Sequence, residues 1–261
     1  MKILFVGDIV GAPGRRILKA VVVRYRTEGG VQAVIVNAEN AAAGSGITPA
    51  LADEIFACGV DGITLGDHVW DQKDIPRYLD RERRIVRPLN LSSECPGKGW
   101  TTLPTEHGPL HIVSLLGRVF MDFPIEPPFK AIDDLLAGPL PRNGITLVDF
   151  HAEATSEKVC MGWYLDGRVA AVVGTHTHVQ TSDARVLPQG TAYITDLGMT
   201  GPRDSIIGRD IAPVTQRFTT SLPARFEVAS GPAVIEGALI TINRATGKAT
   251  SITSFREFEE A

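Results

Sequence analysis

Acidic, amide and imidazole side chains recur just past the short apolar runs of this 261-residue chain. Asp8 follows the run at residues 3–6, Glu39 and Asn40 follow 33–36, Asp67 and His68 follow 61–65, and His151 follows 145–150. The densest block, residues 169–178, is an apolar run closed by Gly174 that then offers His176 and His178. Side chains alternate along extended backbone, so two imidazoles two residues apart are expected on one side, the arrangement that grips a metal ion. Histidine is otherwise scarce, with six in the whole chain. Any one buried His or Asp at a strand end is ordinarily a hydrogen-bonded structural residue. Five such blocks in succession are not explained that way.

Carboxylate and imidazole donors without a nearby thiolate suit iron or manganese, with zinc or nickel as alternatives. Asp8, Glu39, Asp67, His151, His176 and His178 are more ligands than the roughly three protein groups that hold a single open catalytic ion. Two divalent ions sharing a bridging carboxylate fit the count better. Ions ~3.5–4 Å apart activate a bridging hydroxide and hold the non-bridging oxygens of a phosphate during in-line attack. Four positive charges against Asp8, Glu39 and Asp67 leave about +1, which attracts a phosphodiester or a phosphomonoester, so charge does not choose between them.

The elements that must position these groups read as strand, helix, strand, helix, strand. Residues 2–7 form a buried strand, residues 11–25 a helix with Ile17, Leu18, Val21 and Val22 at helical spacing, and residues 33–36 a second strand. Thr48 and Pro49 open a helix to about residue 58, and 61–65 is a third strand. A parallel sheet with right-handed crossovers follows, and ligands bind at the carboxyl ends of its strands. Residues 87–141, rich in Pro and Gly with a strand at 111–115, read as loops and a small excursion over the site. A strand at 145–150, a helix at 153–165, short strands at 185–187 and 192–195 and a late pair at 225–228 and 233–242 complete the chain. The late alternation suggests a second, more antiparallel sheet.

Length and an apolar fraction of 44% point to one soluble domain over residues 1–261. A net charge of −4 argues against a duplex nucleic-acid surface. The apolar runs are far shorter than the ~20 residues of a membrane span, Asp8 interrupts any signal peptide, and three scattered cysteines read as reduced thiols. A cytoplasmic protein is expected.

The blocks Gly7-Asp8, Asn37-Ala38-Glu39-Asn40, Gly66-Asp67-His68, His151 and Gly174-Thr175-His176-Thr177-His178 resemble the ordered motifs of the calcineurin-like metallophosphoesterases. Residues 6–11, 37–40 and 196–201 make the resemblance closer to the bacterial YmdB-type branch, over nearly the whole chain. The resemblance implies a four-layer α-β-β-α sandwich of two mixed sheets flanked by helices, and a dinuclear metal centre. It also implies hydrolysis of 2′,3′-cyclic and/or 3′,5′-cyclic nucleotides by a metal-bridging hydroxide. It would place Asp8, Glu39 and His178 on one ion and Glu39, Asp67, His151 and His176 on the other, with Asn40 beside the ions and His68 as proton donor to the leaving group. Val10 stands where the broad superfamily has a ligand His, and Asp67 where it has Asn, so one ion is more open and the other more tightly held.

The alternatives are a metal-dependent phosphomonoesterase or phosphoprotein phosphatase, and a non-catalytic metal-stabilised regulatory protein. The expected partner is a small nucleotide diester, with homo-oligomerisation left open. Outside the blocks, His107 and His111 are expected as loop or surface residues. Trp70, Trp100 and Trp163 read as core or rim packing, Trp70 being near enough to His68 to contact a nucleoside. Met199, Thr200 and Arg203 fall in a Gly-rich loop that the sequence leaves unassigned.

Overall fold

Strand alternation sorts the apolar residues into layers. In the computed structural model, which describes residues 1–259, Ile3 and Phe5 of β1 (Lys2–Val6) face one core while Leu4 and Val6 face another. After β2 (Asp8–Ile9), Ile17, Leu18, Val21 and Val22 of α1 (Gly11–Thr27) form the buried stripe that covers the second of these cores. Val34 and Val36 of β3 (Ala33–Asn37) join that helix-covered core, while Ala33 and Ile35 face the other. Helix α2 (Pro49–Ala57) begins as expected, with the Thr48 side chain accepting from the Leu51 amide and Pro49 in the first turn.

Strand β4 (Gly62–Thr64), helix α3 (Ile75–Leu79) and β5 (Ile85–Val86) extend the first sheet. The chain then enters the second sheet through β6 (Trp100–Leu103) and β7 (Leu110–Leu116), and crosses by α4 (Pro128–Ala137) to β8 (Ile145–His151). Helix α5 (Thr155–Tyr164) leads to β9 (Ala171–Thr175), followed by β10 (Arg185–Val186) and β11 (Ala192–Ile194). Strand β12 (Met199–Pro202), helix α6 (Ile211–Thr220) and the hairpin of β13 (Ala233–Asn243) with β14 (Lys248–Phe258) return to the first sheet. The first sheet runs β2-β12-β13-β1-β3-β4-β5 with β14 on β13; the second runs β10-β11-β9-β8-β7-β6.

Apolar residues from both sheets meet between them, among them Phe5 and Ile35 with Ile112 and Leu147, and the outer face of the second sheet packs Val148 and Phe150 against Ile132 and Met161 of α4 and α5. Helix, sheet, sheet, helix is therefore the order of layers. Strands β1, β3, β4 and β5 are mutually parallel, as are β7, β8, β9 and β11, so in each sheet one edge collects the carboxyl ends.

Several expectations need correction. The late antiparallel pair is β13 with β14, not 225–228 with 233–242, and it belongs to the first sheet. The second sheet is parallel at its centre and antiparallel only at its edges, because crossovers α4 and α5 cover its outer face. Residues 87–141 supply β6, β7 and α4, so this segment is structural. His111 is buried within β7, its Nε2–H donating to the Asn143 carbonyl at 3.0 Å and its Nδ1 2.8 Å from the Thr102 hydroxyl. Met199 and Thr200 pair with Asp8 and Ile9 as strand rather than loop. Among the described residues no helix is long and apolar enough to cross a membrane.

Candidate metal centre

Polar contacts across the two carboxyl edges draw the sheets together at one pole. Asn37, the last residue of β3, donates to the Asp149 carboxylate of β8 at 3.1 Å, and Thr64 of β4 donates to it at 2.5 Å. The same edge delivers every group expected from sequence. Asp8, Glu39 and His151 form a floor that solvent does not reach, while Asp67 and His176 stand at its rim with about a quarter of their side chains exposed.

One ligand atom from each of Glu39, Asp67, His151 and His176 falls within 4.8 Å of the others. His151 Nε2 lies 3.0 Å from both Glu39 Oε1 and Asp67 Oδ1, and 2.9 Å from His176 Nδ1. On the other side of Glu39, His178 Nε2 is 3.8 Å from Asp8 Oδ1 and 3.2 Å from Asn40 Nδ2, which in turn donates to Glu39 Oε1 at 3.1 Å. The two imidazoles of the densest block therefore serve different halves of the cluster. Alternation along a strand is not what places them: β9 ends at Thr175, and His176 (φ 99°) and His178 (φ 62°) both adopt left-handed backbone. A side chain seldom tolerates that region, so the turn stores strain where it presents the two imidazoles.

The outer nitrogen of each ring is committed. His151 Nδ1 lies 2.8 Å from Thr175 Oγ1, whose hydroxyl donates to Asp149 at 2.7 Å, so the ring donates from Nδ1 and turns Nε2 to the carboxylates. His178 Nδ1–H donates to the Ile207 carbonyl at 3.0 Å, and His176 Nε2 faces Glu153 at 3.3 Å. Such outer partners fix tautomer and orientation in metal-binding imidazoles. Gly66 admits the cluster, since a Cβ there would collide with Glu39 Oε2 and the His151 ring.

Electrostatics and hydrogen bonding both fit a cation in this cluster. Burial, reinforced by Glu39, Asp196 and Asp149 against the opposing pull of His151, pushes the Asp8 carboxyl up to about 7. Asp8 Oδ1 is also fully buried with no hydrogen-bond partner, a rare condition for a polar atom. Burial alone would lower His151, but Glu39, Asp67 and Asp8 outweigh it and raise that imidazole well above its ordinary range. Burial opposes ionisation of Asp67 too, yet its contacts with His151 and His176 hold it well below the usual carboxylate range. Oxygen and nitrogen donors that must otherwise share protons are a donor set for divalent transition metals.

A model of the YmdB-like protein family matches residues 4–255. The chain belongs to that family. The 2′,3′-cyclic-nucleotide 2′-phosphodiesterase of Bacillus subtilis is 47% identical over 252 residues, covering 97% of this chain and 95% of that protein. A crystal structure of a Thermus thermophilus protein covers 100% of both chains at 40% identity and a TM-score of 0.93. One described as a novel phosphatase of Mycoplasma pneumoniae is 34% identical with a TM-score of 0.93, covering 100% of this chain and 94% of that one. The YmdB-like chain thus carries the metallophosphoesterase sandwich and a candidate metal site at its polar pole.

Sequence patterns did not single out several contributors. Asn37 accepts from the Glu39 amide at 3.1 Å and ties β3 to β8. Asp149 lies two residues before His151 on the same strand face, a carboxylate inside an apolar run that alternation alone could have flagged. Lys158 and Asp196 form a buried pair at 2.7 Å, and Asp196 Oδ2 also accepts from the Thr177 hydroxyl at 2.7 Å, bracing the His176–His178 turn. Asp71 lies 2.7 Å from His68 Nδ1 and also accepts from the Ser45 hydroxyl. Trp70 is part-buried against the helix-covered core of the first sheet, consistent with packing.

Proposed function

We propose that this protein is a phosphoric diester hydrolase that opens cyclic nucleotides, 2′,3′-cyclic ones foremost, at a centre of two divalent iron or manganese ions. Asp8, Glu39 and His178 would hold one ion, and Glu39, Asp67, His151 and His176 the other. The observation that carries this reading is the paired arrangement about Glu39: four ligand atoms within 4.8 Å on one side, and the orphaned Asp8 Oδ1 facing His178 on the other. Bound there, two divalent ions supply Lewis acidity toward phosphate oxygens and bring the pKa of water near neutrality. The 47% identical relative carries a 2′-phosphodiesterase name, which supports the choice of bond.

The chain's own groups complete the chemistry. Water adds its oxygen to phosphorus, the bond from phosphorus to O2′ breaks, and a 3′-phosphomonoester with a free 2′-hydroxyl remains. The departing alkoxide needs a proton near neutral pH, and His68 can supply it. Asp71 occupies its Nδ1, which leaves Nε2 as the donor atom. In the metal-free chain burial lowers the His68 pKa, but Glu39, Asp67 and Asp71 together raise it above its ordinary value. Asn40 donates from Nδ2 to Glu39 Oε1 and lies 3.2 Å from His178 Nε2; once ions hold those two groups, its carboxamide would be released to contact the phosphate.

Metal-loaded protein should therefore turn over 2′,3′-cyclic AMP, with 3′,5′-cyclic AMP and bis(p-nitrophenyl) phosphate as comparisons. His68→Ala should lower kcat on the cyclic nucleotide by about 10²–10⁴. The loss should be much smaller on the nitrophenyl ester, whose leaving group needs no proton. Equal losses on both would remove His68 from the donor role, and absence of turnover on every diester would overturn the proposal. The phosphatase description of the Mycoplasma structure favours a phosphomonoesterase as second reading, and faster hydrolysis of p-nitrophenyl phosphate than of any diester would establish it.

A further inference from the structure

A cavity of about 320 Å³ opens directly beside the candidate centre, with His178 as one wall. Val179, Ile207 and Phe258 also line it, and each is a large apolar residue left more than half exposed. Scattered exposed apolar residues need no explanation, but a group of three around one recess marks a binding surface. Ile207 adds a second signal. It is β-branched yet sits at φ 45°, a conformation such residues rarely adopt, and its carbonyl receives the Nδ1–H of His178. Strain of this kind persists where the surrounding structure enforces it, commonly at ligand sites. The same backbone unit thus fixes the imidazole facing Asp8 and presents an apolar side chain to the recess.

The carboxylate and hydroxyl groups here are already engaged. Glu236 is buried and accepts from the Arg256 guanidinium and, at 2.9 Å, from the Met199 amide. Ser205 donates to the Pro202 carbonyl at 2.7 Å and accepts from the Gly208 amide at 3.0 Å. Arg203 pairs with Asp204 and lies 6.0 Å over the Phe258 ring. What remains for a ligand is apolar surface, an aromatic face and guanidinium planes, the surroundings that suit a flat heterocycle.

We propose that this recess seats the nucleobase of the substrate while the cyclic phosphate lies at the neighbouring centre. The inference rests on the nucleotide diesterase reading and adds the residues that recognise the nucleoside. Base–aromatic stacking tolerates any base, and the guanidinium N–H groups of Arg203 and Arg256 beyond those given to Asp204 and Glu236 can meet acceptor edges of purines and pyrimidines alike, so purines are preferred only by their larger area.

The test compares 2′,3′-cyclic AMP with glycerol 1,2-cyclic phosphate, which has the same five-membered phosphate ring and no base. In full-length metal-loaded protein, Phe258→Ala should raise KM for the nucleotide about tenfold, with kcat within about twofold of wild type. Both parameters for the glycerol ester should be unchanged. Val179→Ala should shift the nucleotide KM in the same direction by a smaller factor, which guards against a folding defect in the first variant. Saturation-transfer NMR with adenosine 3′-monophosphate should show contacts from protein methyls to the adenine protons that disappear in Phe258→Ala. Unchanged nucleotide KM in both variants, or parallel losses on both esters, would overturn the recess while leaving the diesterase intact. A wild-type protein inert toward both esters would instead overturn the reading beneath it.

Discussion

His151 and His111 lie on neighbouring parallel strands of one sheet, both buried, and their surroundings give them opposite chemistry. His111 sits near the amino end of β7 opposite Thr146, between a hydroxyl and a carbonyl, and burial lowers its pKa so that the ring stays neutral. His151 ends β8 opposite Leu116, where Glu39, Asp67 and Asp8 more than offset the same desolvation and raise it. One end of the sheet satisfies its imidazole with neutral partners and closes; the other gathers anions around it. The carboxylates that hold a proton on His151 are those that would hold a divalent ion in its place. Burial of a histidine therefore says little until the charges at its strand end are known.

The sharpest way to break this contrast is to make the same substitution at both positions. If His151 holds an ion as proposed, His151→Gln should lower kcat on a phosphodiester by about a thousandfold or more, since losing that ligand would remove several kcal/mol of charge stabilisation. His111→Gln should leave kcat within about twofold and appear only as lost stability. Comparable activity losses in the two variants would dissolve the distinction. Metal content measured alongside should fall in the first variant alone.

A second contrast at the polar pole is between carboxylates neutralised by the chain and carboxylates that are not. Asp196 has Lys158 at 2.7 Å, both side chains being buried, whereas Asp8 has an oxygen with no partner. Lys158→Met should destabilise the fold by about 3–5 kcal/mol in denaturant unfolding, because it strands the Asp196 charge. Adding Asp196→Asn should recover part of that loss. Asp8→Asn should do the reverse, replacing a buried oxygen that accepts no hydrogen bond and so costing activity without comparable loss of stability in metal-free protein.

These contrasts also separate what was legible in the chain from what was not. Asp8, Glu39, Asp67 and His151 were legible because each follows an apolar run whose parallel pairing fixes where its end must lie. The partners of Asp149 and Lys158 were not, because Asn37 and Asp196 are 112 and 38 residues away and only the tertiary fold brings each pair together. Strand β14 escaped notice because its residues alternate weakly and most remain accessible; pairing along the whole of β13 makes it a strand. Helix α6 carries Ile211, Val214 and Phe218 at helical spacing, a short stripe legible in the sequence although only Val214 is buried. The left-handed turn at His176 and His178 has no simple pattern, since non-glycine residues there depend on enforcement by neighbours such as Asp196, which accepts from Thr177.

A smaller effect tests whether the outer hydrogen bonds tune the polar pole. Thr175 accepts from His151 Nδ1 and donates to Asp149. Thr175→Val keeps shape but removes both bonds, and should reduce metal affinity or kcat about 10- to 100-fold. Thr175→Ser should restore most of it, an outcome that packing alone would not produce.

The mildest expected effect belongs to His111 and concerns pH. Its folded-state pKa lies below the ordinary value of about 6.5, so on acidification the unfolded chain takes up this proton first. The contribution of His111 to stability is therefore complete above about pH 6.5 and declines as pH falls toward the folded-state value, with a slope of at most ~1.4 kcal/mol per pH unit for one proton. His111→Gln keeps an amide for the Asn143 carbonyl and cannot titrate. The stability difference between wild type and this variant, from denaturant unfolding of metal-free protein, should accordingly be largest near pH 7.5 and shrink toward pH 5.5. Other titrating groups shift both proteins alike and cancel in the difference. A difference independent of pH would mean that Thr102 and Asn143 hold His111 without biasing its protonation, and the contrast with His151 would then reduce to charge at one end of the sheet alone.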